Sequence, residues 1–514
     1  MTRFARNRKG FKKTASSDKV TTSLDEQVEW LKQQLSDRFD VVYHLFVSGS
    51  TQRCALVYLQ GMVDLKMLQD EVLRPLLALT TTDSQEFRER IFERKQLPVS
   101  NYRVTTIREG FTSLFESFVL LLIDGEERII ELPFGSYEQR SIDEPANEAT
   151  VRGPREAFIE SAEVNLSLIR KRLKTSNFKT ETMRLGTQTQ TELMILYIHG
   201  ICKKELVDEV RMKLTSIDID GVLGSSYIEE FLDQSPFSPF PQVQYSERPD
   251  VVSAALLEGR VAVIVDGTPM VLLAPVTLWM LLQSAEDYYQ RYVAGTWIRW
   301  IRYLFVFISL LLPSVYIAIT TFHPEMIPPK LLITIAASRE IVPFPALIEA
   351  FIMEISFEAL REAAVRIPKS IGQAVSIIGA LIIGTAAVQA GIVSAAMVII
   401  VSFTGIASFI IPHFDLGLSF RFLRFPIMIF AGLFGLFGII CGLLLIYIHL
   451  INLRSFGTPY LAPMTPFIVS DLKDTYVRAP WWYMRRRPNT AGANKIRQQK
   501  DKYTPEHRHE ENGD

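Results

Sequence analysis

A long uncharged run is the feature that most limits how this chain can fold. The stretch from Ala374 to Ile411 contains no Asp, Glu, Lys or Arg. One crossing of the hydrocarbon core takes about 20 residues, so the run is long enough for two helices joined by a tight turn. The turn is most favourable at residues 389–391, Gln-Ala-Gly. The sequence therefore predicts two membrane spans, at residues 374–390 and 392–411.

Small residues recur every four positions at the start of this run, and they share one helix face. The members of this small-residue stripe are Gly372, Ser376, Ala380 and Gly384. A face of this kind favours close packing of helix backbones. The stripe therefore indicates a helix–helix contact.

Steps of three and four residues continue the same face beyond the stripe. They reach Thr385, Val388, Gln389 and Ile392. One interpretation is that the face packs inside one subunit or against a partner. The other is that several copies surround an axis and that Val388 forms an apolar constriction closing by dewetting. Under the second interpretation, the stripe from Ser376 and these four residues are candidates for a pore lining or gate.

An acidic helix is predicted just before the uncharged run, from about Pro345 to Arg366. At 100° per residue, one sector of it contains Glu354, Glu358, Arg361 and Glu362. A charge at the bilayer centre costs at least about 2.5 to 3.5 kcal/mol, so this sector is expected to meet water, protein or an ion path. The four residues are candidates for an ion entrance or coupling site. A surface helix with Glu358–Arg361 and Glu362–Arg366 pairs is the competing interpretation.

Further apolar stretches complete a predicted membrane domain at residues 296–455. Spans are expected at 303–322 and 426–451, with a re-entrant or interfacial helix at 343–366. A short polar loop containing Asp415, Arg421 and Arg424 is expected before the last span. Four spans put both chain ends on one side, and arginines flanking the first and last spans favour the cytosolic side. The first 37 residues are predicted to form a basic disordered tail, and residues 456–514 a polar tail.

The region before the membrane domain contains a duplication. The segment VYLQGMVDLKMLQDE from Val57 matches LYIHGICKKELVDEV from Leu196, and LLIDGEERIIELP matches VIVDGTPMVLLAP further along. Because both matches have nearly equal offsets, the sequence predicts two copies of one α/β unit. Each Asp-Gly pair is expected to form a hairpin turn. We place the subdomains at residues 38–150 and 178–295, joined by a helix within residues 151–177.

The composition gives little support for catalysis. No phosphate-binding loop and no nucleophile elbow occur, and three cysteines provide neither metal spacing nor a disulfide framework. The basic residues near the N-terminus are more typical of a solvated tail than of a nucleic-acid arm. We therefore expect no enzyme activity, no cofactor, no metal and no nucleic-acid partner.

Several motifs in order give a specific resemblance. They are RGPREAF at 152, SPFPQ at 238, ERPD at 247, VDGTP at 265, TFHPEMIP at 321, and PFPALIEAF at 343 through GIASFIIP. Over roughly residues 35–485 the chain resembles the A subunits of GerA-type spore germinant receptors.

This resemblance implies a nutrient receptor in the inner membrane of a bacterial endospore. It also implies a transporter-like B subunit that binds most of the nutrient, a lipoprotein C subunit, and an oligomeric cation channel formed by the A subunits. A rival within the family is the A-subunit homologue associated with the dipicolinate channel. A rival of another class is a secondary transporter with a broken-helix substrate site near Pro343 to Pro345. Transporters of that class have repeats inside the membrane region, whereas this duplication lies before it.

Overall fold

The structure is a computed structural model that describes residues 22–36, 38–49, 52–79, 83–93, 97, 99, 102–135, 145, 147–366, 382–488, 492 and 496–497. The basic stretch at residues 3–13 and the end of the predicted C-terminal tail lie outside these ranges. The chain divides into two compact units, Met1–Ser141 with Leu166–Glu181, and Ile142–Asn165 with Thr182–Asp514. Each unit is described by itself below.

The first unit contains a five-stranded antiparallel sheet. Its strands are β1 (Val41–Ser48), β2 (Gln52–Leu59), β3 (Arg103–Thr106), β4 (Val119–Ile123) and β5 (Arg128–Leu132). They lie in the order β1-β2-β4-β5-β3. The helices are α1 (Leu24–Gln34), α2 (Leu65–Leu68), α3 (Arg74–Ala78), α4 (Ser84–Phe92) and α5 (Ile107–Ser113).

The central strand β4 is buried on both faces, which explains its uninterrupted apolar sequence. Leu121 lies in a core with Phe87 of α4, and Leu120 lies in a second core with Leu24 of α1. Successive side chains of a strand point to opposite faces, so one strand contributes to both cores. Helix α1 falls within the stretch 1–37 that the sequence analysis assigns to a disordered tail. Its buried apolar stripe, with Leu24 and Leu31 at 0% exposure, is the physical reason for the difference.

The second sheet has strands β6 (Phe178–Leu185), β7 (Thr191–Ile198), β8 (Gln244–Ser246), β9 (Val261–Val265) and β10 (Val271–Ala274). They lie in the order β6-β7-β9-β10-β8, which is the order of the first sheet with each strand number raised by five. The helices of this part are α6 (Ala162–Arg172), α7 (Lys204–Thr215), α8 (Ser225–Leu232) and α9 (Pro249–Glu258). The predicted α/β fold with two duplicated copies is confirmed.

The two Asp-Gly turns also match in their contacts. Gly125 joins β4 to β5 with φ of 83°, and Gly267 joins β9 to β10 with φ of 84°. The Asp124 carboxylate accepts from the backbone N–H of Leu24 at 3.0 Å, and the Asp266 carboxylate accepts from that of Ala162 at 3.0 Å. Each aspartate thus binds the first residue of the helix that precedes its copy. Helix α6, predicted as a connecting helix, therefore also occupies the position that α1 has in the first copy.

The C-terminal half is helical. Its helices are α10 (Leu278–Leu281), α11 (Glu286–Tyr289), α12 (Tyr292–Phe322), α13 (Pro329–Arg339), α14 (Ala346–Arg366), α15 (Ala387–Gln389), α16 (Ala395–Phe409) and α17 (Phe414–Asn452). Among the described residues, α12 and α17 are long and apolar enough to cross a membrane, and α16 is a shorter apolar helix. The predicted span at 303–322 lies within α12, and the one at 392–411 contains α16.

Helix α17 is a hairpin of two helical segments rather than one straight rod. Gly435 has φ of 61° and ψ of −141°, which interrupts the helix. A straight helix rises about 1.5 Å per residue, so positions 427 and 442 would lie about 22 Å apart. Instead, a Cβ built on Gly442 would lie 3.5 Å from the Ile427 side chain. The predicted single span at 426–451 therefore contains a chain reversal, and the charged residues Arg421 and Arg424, expected in a loop, lie in the first segment.

The chain returns to the second sheet after the hairpin. Strands β11 (Arg454–Ser455) and β12 (Thr458–Pro459) form a small ribbon. The buried Tyr460 accepts a backbone hydrogen bond from Leu278 at 2.9 Å, and the Ser455 hydroxyl accepts from the N–H of Val276 at 3.0 Å. The stretch predicted as a polar tail from residue 456 thus begins with a packed segment.

Candidate functional site

The candidate pore residues that the structure describes lie on a turn between helices. Gly384 and Thr385 belong to a π-helical turn at Ile382–Ala386, and Val388 and Gln389 belong to α15. Thr385, Gln389 and Ile392 are exposed, whereas Val388 is half-buried against the helical core. Ser376 and Ala380 lie outside the described residues. The bend predicted at residues 389–391 is present, because Gly391 has φ of 66°.

This turn is fixed from the side of α14. The buried Glu349 carboxylate accepts from the backbone N–H of Ser394 at 2.6 Å and also from the Ser394 hydroxyl. Arg339, at the end of α13, lies 3.8 Å from the other Glu349 oxygen. A Cβ on Gly391 would lie 2.9 Å from the Ile341 side chain. The residues around 391–394 are therefore held by Glu349 of α14 and by Ile341 in the segment that joins α13 to α14.

The four candidate charges of α14 fall into different environments. Glu358 and Arg361 form an ion pair at 3.0 Å, and their side chains are 33% and 12% exposed. Glu362 pairs with Arg366 at 2.5 Å and is 65% exposed. These are the pairs that the spacing predicts. Glu354 differs, because it is 1% exposed and its partner is outside α14.

Glu354 pairs with Arg424, a residue that the sequence predicts to lie in a loop. Arg424 Nη1 donates to Glu354 Oε2 at 2.5 Å, and both side chains are 1% exposed. Arg424 Nε donates to the carbonyl of Ser309 at 2.8 Å, and Nη2 donates to the Ser309 hydroxyl at 3.2 Å. We call this group the Arg424 clasp, consisting of Ser309, Glu354 and Arg424. It joins α12, α14 and the first segment of the hairpin.

A second buried charge cluster lies where α12 begins. Arg302 donates to both oxygens of Asp287 at 2.9 and 3.0 Å. Arg299 contacts the carbonyl of Asp474, and the Tyr288 hydroxyl donates to the Asp474 carboxylate at 2.9 Å. Burial raises the pKa of Asp474, although Arg299 opposes the shift, and burial also raises the pKa of Tyr288. The tyrosine therefore stays a neutral donor, and the cluster ties the C-terminal segment to the first turns of α12.

No metal centre is suggested by this geometry. Among the residues with described positions, no group of three or more His, Cys, Asp or Glu side chains is arranged to hold a metal ion.

Comparison with known proteins decides the family. A family model described as Bacillus/Clostridium GerA spore germination protein matches residues 29–490. The chain belongs to the GerA family. The resemblance read from the motifs is therefore confirmed.

Relatives within the GerA family match over most of their length. "Uncharacterized membrane protein YfkQ" of Bacillus subtilis (strain 168) is 47% identical over 472 residues, which cover 92% of each chain. "Spore germination protein KA" of the same strain is 43% identical over 486 residues, covering 94% of this chain and 89% of that one. The crystal structure of the N-terminal domain of the A subunit of the Bacillus megaterium spore germinant receptor GerK3 is 31% identical, covers 50% of this chain and 95% of that chain, and has a TM-score of 0.38.

Two of the GerA motifs meet at one buried arginine. Arg248 of ERPD is 1% exposed and binds the Asp250 carboxylate through Nε at 3.1 Å and Nη2 at 2.8 Å. Its remaining donors reach the carbonyl of Glu148 at 3.1 Å, the Thr150 hydroxyl at 3.0 Å and the carbonyl of Pro154 at 3.1 Å. Pro154 belongs to RGPREAF. These motifs thus serve to hold residues 148–154 against the start of α9.

The SPFPQ motif connects the second sheet to both ends of the α17 hairpin. Phe240 is 1% exposed and lies 5.9 Å from the ring of Phe420 and 6.1 Å from the ring of His449. The Ser238 hydroxyl and His449 Nε2 share a hydrogen bond of 2.8 Å. Phe420 and His449 lie near opposite ends of α17 in sequence, so this loop fixes the base of the hairpin.

Proposed function

We propose that this chain is the A subunit of a nutrient germinant receptor in the spore inner membrane, and that it forms an oligomeric cation channel that opens on nutrient sensing and starts germination. Its partners are a transporter-like B subunit, which binds most of the nutrient, and a lipoprotein C subunit. The sheets and the C-terminal segment lie on the cytosolic side. Membership of the GerA family supports the germination role.

The turn at 385–392 is the observation that carries the channel. Its outer face, with Thr385, Gln389 and Ile392, is exposed in a single chain. Its inner face is fixed by Glu349 through Ser394. A partly polar surface that is exposed in the described part of one chain and anchored at residue 394 is suited to line an axis between copies of the chain.

Substitution of Val388 tests the gate. In a ring of subunits, Val388→Ser makes the constriction more polar, so spores are expected to leak cations and germinate without nutrient. The matched control is Val393→Ser, because Val393 is 1% exposed in the helical core. That change is expected to lower receptor abundance by creating a buried polar group. Dormant Val388→Ser spores with normal receptor level and nutrient response would contradict the gate.

Neutralisation of Glu358 tests the ion entrance. Glu358→Gln is expected to lower cation flux through the purified receptor in liposomes and to slow germination at nearly unchanged abundance. Glu362→Gln is compared on the same helix and is expected to have a smaller effect, because Glu362 belongs to the more exposed pair. Equal flux in both variants and in the wild type would argue for a surface helix without a role in conduction.

A further inference from the structure

The Arg424 clasp compensates for a proline in α12. A helix normally bonds the carbonyl of residue 309 to the N–H of residue 313, but Pro313 has no N–H. Arg424 Nε donates to that carbonyl at 2.8 Å. An arginine from a neighbouring segment thus replaces the missing backbone donor. In the sequence, Pro313 lies within the first predicted span, and Arg424 lies just before the last one.

Stability alone does not account for the ion pair in the clasp. Replacing a buried ion pair by apolar residues of similar volume is often neutral or stabilising, because desolvation offsets the attraction between the charges. The pair is also imperfect, since Glu354 Oε1 is buried and has no hydrogen-bond partner among the described residues. Ionisable groups inside apolar helical regions generally serve a function.

Helix α14 links the clasp to the candidate gate. Glu349 binds Ser394 next to the turn, and Glu354 binds Arg424 five positions later on the same helix. The two carboxylates are separated by about 7 to 8 Å of rise along one helix. Movement of α14 away from Arg424 would therefore displace the residues that fix the turn at 391–394.

We propose that Arg424 is a positioning residue that sets α14 against the proline bend of α12 and keeps the turn bearing Val388 in its closed arrangement. Release of the clasp then accompanies opening. This inference rests on the proposed channel function, and it assigns no direct contact with the ion to Arg424.

The decisive variant removes the clasp but keeps the backbone carbonyl of Ser309 hydrogen-bonded. In Pro313→Ala/Glu354→Leu/Arg424→Met, the restored N–H at 313 bonds the carbonyl of Ser309, and the apolar side chains fill the space of the ion pair. The matched control is Pro313→Ala alone, which restores the N–H and leaves the charges in place. Both are compared with the wild type and a strain without the chain, as intact spores in buffer and in a mixture of amino acids, sugars and nucleosides.

The triple variant is expected at near wild-type abundance in spore membranes, with germination in buffer raised by roughly 5- to 150-fold, the range typical of such coupling. The control is expected to stay dormant. A triple variant with normal abundance and normal dormancy would overturn the inference. Loss of the triple variant from membranes would also overturn it, because the pair would then serve folding. Premature germination of the control would overturn it as well, because the effect would then come from the proline and not from the ion pair.

The same comparison separates this inference from the proposed function. If the wild type and the strain without the chain respond equally to the nutrient mixture, the receptor role itself fails. If the wild type responds and the triple variant behaves like it, the role of the clasp fails and the receptor role stands.

Discussion

Chain reversals in the sheets and in the helical region are built differently. In the sheets, each copy reverses at an Asp-Gly turn whose aspartate also binds the start of a helix. In the α17 hairpin, the reversal occurs at Gly435, and the residues next to it in the sequence are all apolar or glycine. A polar turn is stabilised locally, whereas the hairpin depends on how closely its two segments pack. The two regions should therefore respond differently to the same substitution.

The largest effect is expected in the hairpin, for Gly438→Ala. A Cβ at position 438 would overlap the backbone carbonyl of Phe430, which has no room to move within its helix. Overpacking against backbone should cost about 3 kcal/mol or more and remove the protein from membranes. Gly442→Ala is the matched control, because its Cβ would lie 3.5 Å from side-chain atoms. That change should be neutral or stabilise by up to about 1 kcal/mol. Membrane abundance and thermal unfolding in detergent measure the effect of each substitution. Equal abundance of the two variants would contradict the hairpin.

A smaller effect is expected at the turns of the sheets, for Gly267→Ala and Gly125→Ala. Nothing lies within 4 Å of a Cβ built on Gly267, so the cost is that of positive φ alone, about 1 to 2 kcal/mol. At Gly125 the Cβ would also meet the Arg88 side chain, which binds the carbonyl of Gly125 at 2.7 Å. The melting temperature should therefore fall slightly further for Gly125→Ala. A clearly larger fall in melting temperature for Gly267→Ala than for Gly125→Ala would contradict the expected order of the two turns.

These contrasts explain how much the sequence could predict. The duplication and its turns could be predicted, because Asp-Gly between apolar strands is a local signal in the sequence. The helix at 24–34 was missed because basic residues dominate the stretch before it. The reversal at Gly435 was missed because hydropathy does not distinguish one long span from two packed segments. The partnership of Arg424 with Glu354 joins residues far apart in sequence, so composition and periodicity on one helix could not find it.

A pH-dependent effect concerns buried acids, which also differ between the two regions. Glu354 is paired with a guanidinium, whereas the Glu148 carboxylate accepts from the neutral Ser246 hydroxyl at 2.7 Å. Burial raises the pKa of Glu148 from its usual 4.5 to about 7. The folded chain therefore keeps this proton between pH 4.5 and 7 while the unfolded chain loses it, so the free energy of unfolding falls as pH rises through that interval.

Replacement of Glu148 isolates this contribution. Between pH 4.5 and 7, the wild type should lose about 3 kcal/mol of unfolding free energy relative to Glu148→Gln, which cannot ionise, and the difference should level off above pH 7. Glu29→Gln, at an exposed position on α1, should follow the wild type at every pH. Chemical unfolding of the full chain in detergent at several pH values measures the difference. A constant offset between wild type and Glu148→Gln across this range would contradict the prediction, because it would mean that the carboxylate ionises alike in the folded and unfolded chain. The hydrogen bond from Ser246 would then favour the charged form strongly enough to cancel the cost of burial.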